Sequence, residues 1–411
     1  MIVVGAGAAG ILASWRAGRL GAKVLLLEKG PRIGTKILVS GGGKCNITHD
    51  GPISEVLRAF RANEAQFLRP AMYQFTNQQV LELFTAKGLN VYTRPDGRVF
   101  PVDKNAKDVV AILGKHLAEA HVDVRLNSAV KRIRETHSGF EVETATQSFR
   151  AGKLILSVGG SSYPGTGTTG DGYPWVKQLG HSLVPIRAAL APIYLQTDSA
   201  WAEWSGIALR DVILKAKQGR EIARWRGDLL FTHHGLSGPC ALGVTREIAE
   251  RREHATRVEV DLLPDVPHES LRANIGEWIK ANPKKLFSTF LEEVVPSRLV
   301  DPLARAVGAN PSVVLAGLGG KSQNRLVEVL KAWPLGLVRT IPLEKGEVVA
   351  GGVPLDEVDQ RTMRSLRCEN LFLCGELLDI AGPVGGYNLQ AAFSTGYVAG
   401  DAAARKILDN A

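Results

Sequence analysis

The chain opens MIVVGAGAAG over residues 1–10 and reaches VLLLE at residues 24–28. Ile2 to Val4 form a short apolar run of the kind buried in a parallel sheet, and the Ala-rich stretch to about Leu20 reads as a helix closed by Gly21. Val24 to Glu28 is a second apolar strand, so β-α-β is complete within thirty residues, the start of a doubly wound α/β sheet. Between strand and helix stands Gly5-x-Gly7-x-x-Gly10. Gly5 permits the tight turn, Gly7 opens the backbone to a pyrophosphate, and Gly10 lets helix pack on strand. Ala8 and Ala9 begin the helix, whose N-terminal N–H groups and dipole favour an anion. Glu28 ends the second strand eighteen residues beyond Gly10, where a carboxylate accepts hydrogen bonds from an adenosine ribose. A bare βα turn with an exposed Glu would leave the three-glycine register unexplained, whereas a bound dinucleotide explains it. The chain starts almost on its first strand, which leaves room for an upstream start.

Beyond this unit, a Gly- and Lys-bearing loop (30–48) leads to helical patterns near 53–69 and 77–87. VYTRPDGRVFP (91–101) follows with a Pro-Asp-Gly turn, then an amphipathic helix over Ala106–Ala120. From Val122 to Ser157 the pattern alternates with period two, predicting a strand and a three-stranded meander before a further sheet strand. Near Pro185 the composition shifts to short β-like runs (191–263), then to helical patterns (268–334) bounded by Pro283, Pro296 and Pro311. The β pattern resumes near Val338, NLFLCG (370–375) reads as a buried strand, and GGYNLQAAFSTGYVAG begins a helix entered through glycines. The arrangement expected is a discontinuous Rossmann-type domain (1–185 and 345–411). A β-barrel-like insertion (186–265 with about 335–344) and a helical subdomain (266–334) complete it.

At 411 residues the chain is long enough for two or three domains. Lys and Arg number 50 against 41 Asp and Glu, a net +9, but only 22% of residues are charged and no like-charge run stands out. That balance disfavours disorder and a dedicated polyanion binder. The stretch from Arg246 to Arg257 is interleaved with Glu247, Glu250 and Glu253 and reads as a solvated helix face. Cys45, Cys240, Cys368 and Cys374 show no CxxC spacing, so no disulfide framework and no metal site is expected, and a reducing, cytoplasmic setting fits. No 18-residue apolar stretch occurs, so neither signal peptide nor membrane span is expected.

The 44 glycines concentrate in clusters, which marks close backbone approach to a ligand. Besides the first turn there are Ser40-Gly41-Gly42-Gly43-Lys44-Cys45-Asn46, Gly159-Gly160 after LILSV, and Gly375-Glu376 followed by Gly385-Gly386-Tyr387-Asn388-Leu389. The last again joins a strand end to a helix N-terminus. A groove lined from several parts of the chain suits a flavin, and FAD is the expected cofactor. Lys29, Lys36 and Val130 complete the candidate cofactor contacts. No second GxGxxG follows another strand, so NAD(P)H is expected at most as a transient reductant.

GGGKCNITH, DGRVFP, LFTHHGLSGP, AGGV and LFLCGELLDIAGPVGGYNLQAAFSTGYVAG resemble, in order and spacing, the BaiN-like or aminoacetone-oxidase-like FAD-binding flavoproteins. The resemblance covers nearly the whole chain. It implies a Rossmann-type FAD domain with inserted barrel-like and helical parts, and it settles cofactor better than substrate. Lys44 stands where the family usually has Arg, which keeps the charge and loses a bidentate fork. Val349 and Leu366 stand where it usually has Thr and Lys, which removes proton-handling or anion-binding there.

Cys45 invites comparison with flavin disulfide reductases, but their second cysteine position, five residues on, is Asp50. Local dithiol exchange is therefore excluded, leaving a structural thiol or a direct redox role. His233, His234 and His49 lie near glycine turns, and His233 or His234 is the expected proton-transfer group of the substrate pocket, against a bracing role in the turn. The function expected is a non-covalent FAD-dependent oxidoreductase acting on an unidentified small molecule. The alternative is a flavin-containing nucleic-acid-binding or tRNA-modifying protein; with no aromatic-interleaved basic run, nucleic acid is read as an unlikely partner. No membrane partner is expected, and no oligomeric state follows.

Overall fold

In the computed structural model, which describes residues 1–196, 199–251 and 253–408, Ile2–Val4 is the central strand of a five-stranded sheet. The order across the sheet is Leu371–Leu373, Leu154–Leu156, Ile2–Val4, Leu25–Leu27 and Asp123–Arg125, all parallel. The triplets IVV, LIL and LFL are fully buried, as strands covered on both faces must be. Chain order reverses at Ile2–Val4, since the next strand lies on one side and Leu154–Leu156 on the other. This switch point opens a crevice beyond the carboxyl ends of both strands, where such sheets bind ligands.

Helix Ala8–Arg19 packs against the final helix Tyr387–Leu408 through glycines four residues apart. A Cβ on Gly396 would lie 2.1 Å from the Ala9 carbonyl oxygen, and one on Gly400 equally close to that of Ala13. Both ends of the chain therefore enter one layer. Between them lie the meander Val130–Thr136, Gly139–Thr144 and Ser148–Ala151, and a small antiparallel sheet of Thr48–His49, Arg98–Pro101 and Val91–Thr93. The helical pattern near 53–69 forms two helices, Ile53–Arg58 and Ala62–Gln74, because Arg61 is extended and its N–H is taken by the Glu64 carboxylate in a capping box. These parts belong to one compact unit, Met1–Arg187 with Glu347–Ala411.

The other unit, Ala188–Gly346, contains a closed six-stranded barrel. Around it run Ile193–Leu195, Gly235–Ser237, Arg220–Thr232, Ala208–Gln218, Arg257–Asp261 and Trp333–Thr340. Leu214, Phe231, Val258 and Trp333 are buried in the same apolar cluster as side chains from helices His268–Ala281, Val300–Val307 and Gly320–Lys331. The α/β class with a barrel and added helices is thus the observed architecture. Among the described residues no helix is long and apolar enough to cross a membrane.

Candidate functional site

At the switch point the glycines divide by what surrounds them. A Cβ on Gly5 would lie 2.7 Å from the Ser157 carbonyl oxygen, and one on Gly10 would lie 1.9 Å from that of Gly5. Ser157 Oγ bonds the Val4 and Gly5 carbonyls at 2.9 Å each, tying the turn to the neighbouring strand. Gly7, the N-cap of helix Ala8–Arg19, has nothing within 4 Å of where its Cβ would be. Two glycines are thus required by packing, and the third leaves an open cradle at a helix N-terminus, with Ala8 and Ala9 in the first turn.

Glu28 sits just past Leu25–Leu27, and its carboxylate is already oriented: Oε2 accepts from Ala6 N–H at 2.8 Å and Oε1 from Gly30 N–H at 2.7 Å. Each oxygen keeps a further lone pair, the requirement for gripping a ribose. The Glu28 carbonyl accepts from Ser128 N–H, which places Val130, two residues on, at the same edge. Lys29 is engaged elsewhere, bonding Thr169 and Asp171 at 2.7 and 2.5 Å.

A second group of candidates converges on Glu376. Lys36 Nζ reaches Glu376 Oε2 at 2.6 Å and Ser162 Oγ at 3.0 Å, while Oε1 accepts from Val349 N–H at 2.9 Å. A Cβ on Gly160 would fall 2.5 Å from Val349 and 3.3 Å from Glu376 Oε1. Gly159 and Gly375 both have positive φ, 74° and 70°. Burial pushes the Tyr173 hydroxyl beside this cluster well above the ordinary phenol range. Ser157, Ser162 and Val349 were not among the sequence candidates; Ser157 is signalled only by its place directly after LIL, and Ser162 only by its place just beyond Gly159-Gly160.

The SGGGKCN loop turns on consecutive positive φ values at Gly41, Gly42 and Gly43, with Ser40 Oγ bonded to the Ile37 carbonyl. Lys44 is exposed. Asn46 is buried, and its Oδ1 has no hydrogen-bond partner, an acceptor that a ligand N–H or O–H would satisfy. Only glycine fits at 386, because the Thr48 backbone lies 2.5 Å from where a Cβ would be. Gly385 accepts a 3.1 Å hydrogen bond from His49, whose ring stacks on Tyr387 at 4.5 Å. Asn388 is spent on its own loop, bonding Gly382 N–H and carbonyl, and Leu389 is half-buried. The open cradle at Gly7, the oriented Glu28 carboxylate and the orphaned Asn46 oxygen fit a dinucleotide cofactor.

Cys45 is fully buried, and burial pushes its thiol up to about 11, which favours the structural thiol over a direct redox role. His233 and His234 form the exposed two-residue turn between strands Arg220–Thr232 and Gly235–Ser237 of the barrel unit. His234 lies 5.1 Å from the Tyr194 ring, over which Arg339 also sits at 5.8 Å.

Residues 1–402 match the family model described as HI0933-like protein Rossmann domain. The chain is 33% identical to ribosomal RNA dihydrouridine synthase of Escherichia coli, and 31% to the protein of that name from Haemophilus influenzae, covering 96% of both chains in each case. It is 30% identical to 3-dehydro-bile acid delta(4,6)-reductase of Clostridium scindens, covering 98% of both. Among solved structures, 3-ketosteroid delta1-dehydrogenase from Sterolibacterium denitrificans shares the fold, with 15% identity, a TM-score of 0.54, and coverage of 98% of this chain and 99% of that one. The expectation that nucleic acid is an unlikely partner is overturned by the first two relatives, both named for an activity on RNA. A basic surface gathered by folding leaves no run in the sequence, so the missing run excluded nothing. The matched model spans nearly the whole chain, and the cradle at the switch point suits the cofactor: the chain belongs to the HI0933-like family and is an FAD-dependent oxidoreductase.

Proposed function

We propose that the protein reduces a carbonyl-conjugated C=C bond, and that its substrate is a uracil base in ribosomal RNA. The observation that carries this reading is the 33% identity to ribosomal RNA dihydrouridine synthase across 96% of both chains. The net charge of +9, though spread too evenly to mark a dedicated polyanion binder, carries the sign that a polyanionic substrate requires. The bile-acid reductase at 30% identity favours a second reading, a small-molecule dienone, and the two share one chemistry: hydride delivered to one carbon, a proton to its neighbour.

FAD, when bound and reduced by a visiting NAD(P)H, would supply the hydride. In this proposal Gly7, Ala8 and Ala9 hold the pyrophosphate and Glu28 the ribose, with Gly5 and Gly10 shaping the turn and Val130 beside the adenine. Lys36, Glu376, Gly159, Gly160 and Gly375 line the middle of the cofactor, and Ser40–Asn46 with Gly385–Leu389 its reactive end. His233 or His234 gives the proton. Residues 1–185 with 345–411 hold the flavin, 186–265 with 335–344 form the barrel part, and 266–334 the helical part. The four buried, unpaired thiols fit a reducing cytoplasm.

The test is anaerobic: NADPH-reduced holoenzyme is offered ribosomal RNA from cells lacking the protein, and separately a bile-acid dienone. Flavin reoxidation by RNA, with uridine gaining two hydrogens by nucleoside mass spectrometry, supports the first reading. Reoxidation by the dienone alone replaces it with the second. Replacing the proton-donating histidine by Gln should slow that reoxidation about 10²- to 10⁴-fold with FAD content unchanged.

A further inference from the structure

We propose that the hairpin spanning strands Val91–Thr93 and Arg98–Pro101 is a landing platform for single-stranded RNA, with Tyr92 stacking on a base and Arg94 meeting the backbone phosphates. The inference rests on the RNA reading above and names the surface that would serve it.

Phe100 is the keel of this platform. It is 3% exposed, and two groups lie against it: Tyr92, stacked at 6.1 Å and 29°, and the Arg94 guanidinium, 4.3 Å from its ring centroid. Tyr92 itself is 40% exposed, so one side is supported and the other is open. Among the described residues Arg94 makes no ion pair, because Asp96, the acid of the turn, is held by Arg98 at 2.5 Å. A supported aromatic face beside a guanidinium that makes no ion pair among the described residues matches what unstacked nucleotides require: a π-surface for a base and a cation for phosphate.

The platform is rigid and well placed. The His49 ring occupies the space beside Gly97, 2.3 Å from where a Cβ would be, and Thr93 Oγ1 bonds Asp50 at 3.2 Å. On its other side Phe100 lies 3.0 Å from the Cβ position of Gly41, so the hairpin adjoins the SGGGKCN loop where Asn46 Oδ1 lacks a partner. A uracil reduced by hydride must be out of its stack, and its neighbours then need a surface to replace lost stacking. A strand resting on Tyr92 and Arg94 meets that need next to the proposed reactive end of the cofactor.

The experiment measures binding of the holoenzyme to a short, unstructured, uridine-containing oligoribonucleotide across a salt series. Tyr92→Ala should weaken binding roughly 5- to 150-fold, the effect of one lost base stack, and Tyr92→Phe should retain wild-type affinity. Arg94→Ala should reduce the slope of log K against log salt by about 0.7, one phosphate contact, and Arg94→Lys should restore it. Flavin content should match the wild type throughout. Wild-type binding with unchanged affinity and slope in Tyr92→Ala and Arg94→Ala overturns the platform and leaves the RNA reading standing. A wild-type holoenzyme that does not bind the oligonucleotide and does not reduce ribosomal RNA overturns both.

Discussion

Replacing Glu28 by Ala removes a carboxylate that does two things at once. It accepts from the backbone N–H groups of Ala6 and Gly30, fixing the glycine turn against the loop after the second strand, and it is the proposed ribose grip. Hydrogen bonds to a charged acceptor contribute about 1.5–3 kcal/mol each, but Glu28 is only half-buried and water replaces part of each lost bond. A loss of about 2 kcal/mol in the unfolding free energy of the flavin-free protein is therefore expected. FAD affinity should fall a further 10- to 100-fold, about 1.4–2.8 kcal/mol, as the ribose contact disappears. Urea unfolding of flavin-free and flavin-loaded protein, with an FAD titration followed by flavin fluorescence, separates the two effects. Glu28→Gln, which keeps one acceptor oxygen, should lie between wild type and Ala. Unchanged stability of the flavin-free Ala variant would refute the clamp, and unchanged FAD affinity in a folded variant would refute the grip.

Three further outcomes are expected. Gly400→Ala places a Cβ against the Ala13 carbonyl, and with backbone on both sides the helices must part by about 1 Å; the overpacking should cost about 1–3 kcal/mol in urea unfolding and lower flavin retention. His181 is buried between Glu357 and Ser365, each 2.8 Å from a ring nitrogen, and burial outweighs the carboxylate and lowers its pKa. Below about pH 6.5 the unfolded chain takes up a proton that the folded ring refuses, so stability should fall on acidification until the folded pKa is reached. His181→Gln should flatten the difference between unfolding curves at pH 5.5 and 7.5 (about one pH unit either side of the free imidazole pKa), and an unaltered difference would show that other groups control it. Burial pushes Cys45 and Cys240 up to about 11 and Cys368 to about 12, and Cys374 is fully buried; Ellman's reagent at pH 8 should label none of the four in native protein and all of them in urea. Rapid labelling of Cys45 itself in the native protein would favour the direct redox role over the structural one.

How far the sequence could be read depended on how local the controlling physics is. Gly5, Gly7, Gly10 and Glu28 were legible because turn, anion-binding helix end and acidic strand terminus lie within one β-α-β unit and fix one another by spacing. The barrel strands were legible as alternation, although closure requires pairing Ile193–Leu195 with Trp333–Thr340 across more than a hundred residues. Lys36 and Glu376 were both named, yet their 2.6 Å contact spans 340 positions and no pattern announces it. The pair Gly396 and Gly400 stood unread in the last helix, because a small residue on a helix face acquires meaning only from the backbone it meets, here at Ala9 and Ala13.

Sequence by itself determined the nucleotide-binding unit and the buried apolar strands, since each follows from steric and electrostatic demands between near neighbours, and it pointed to the flavin through glycine clusters spread along the whole chain. Tertiary structure alone decided that Cys45 is sealed from solvent, that Asn46 keeps an unused acceptor, and that Tyr92 and Arg94 share one supporting ring. Those are properties of enclosure and juxtaposition, and a chain acquires them only when distant segments exclude water from the same volume.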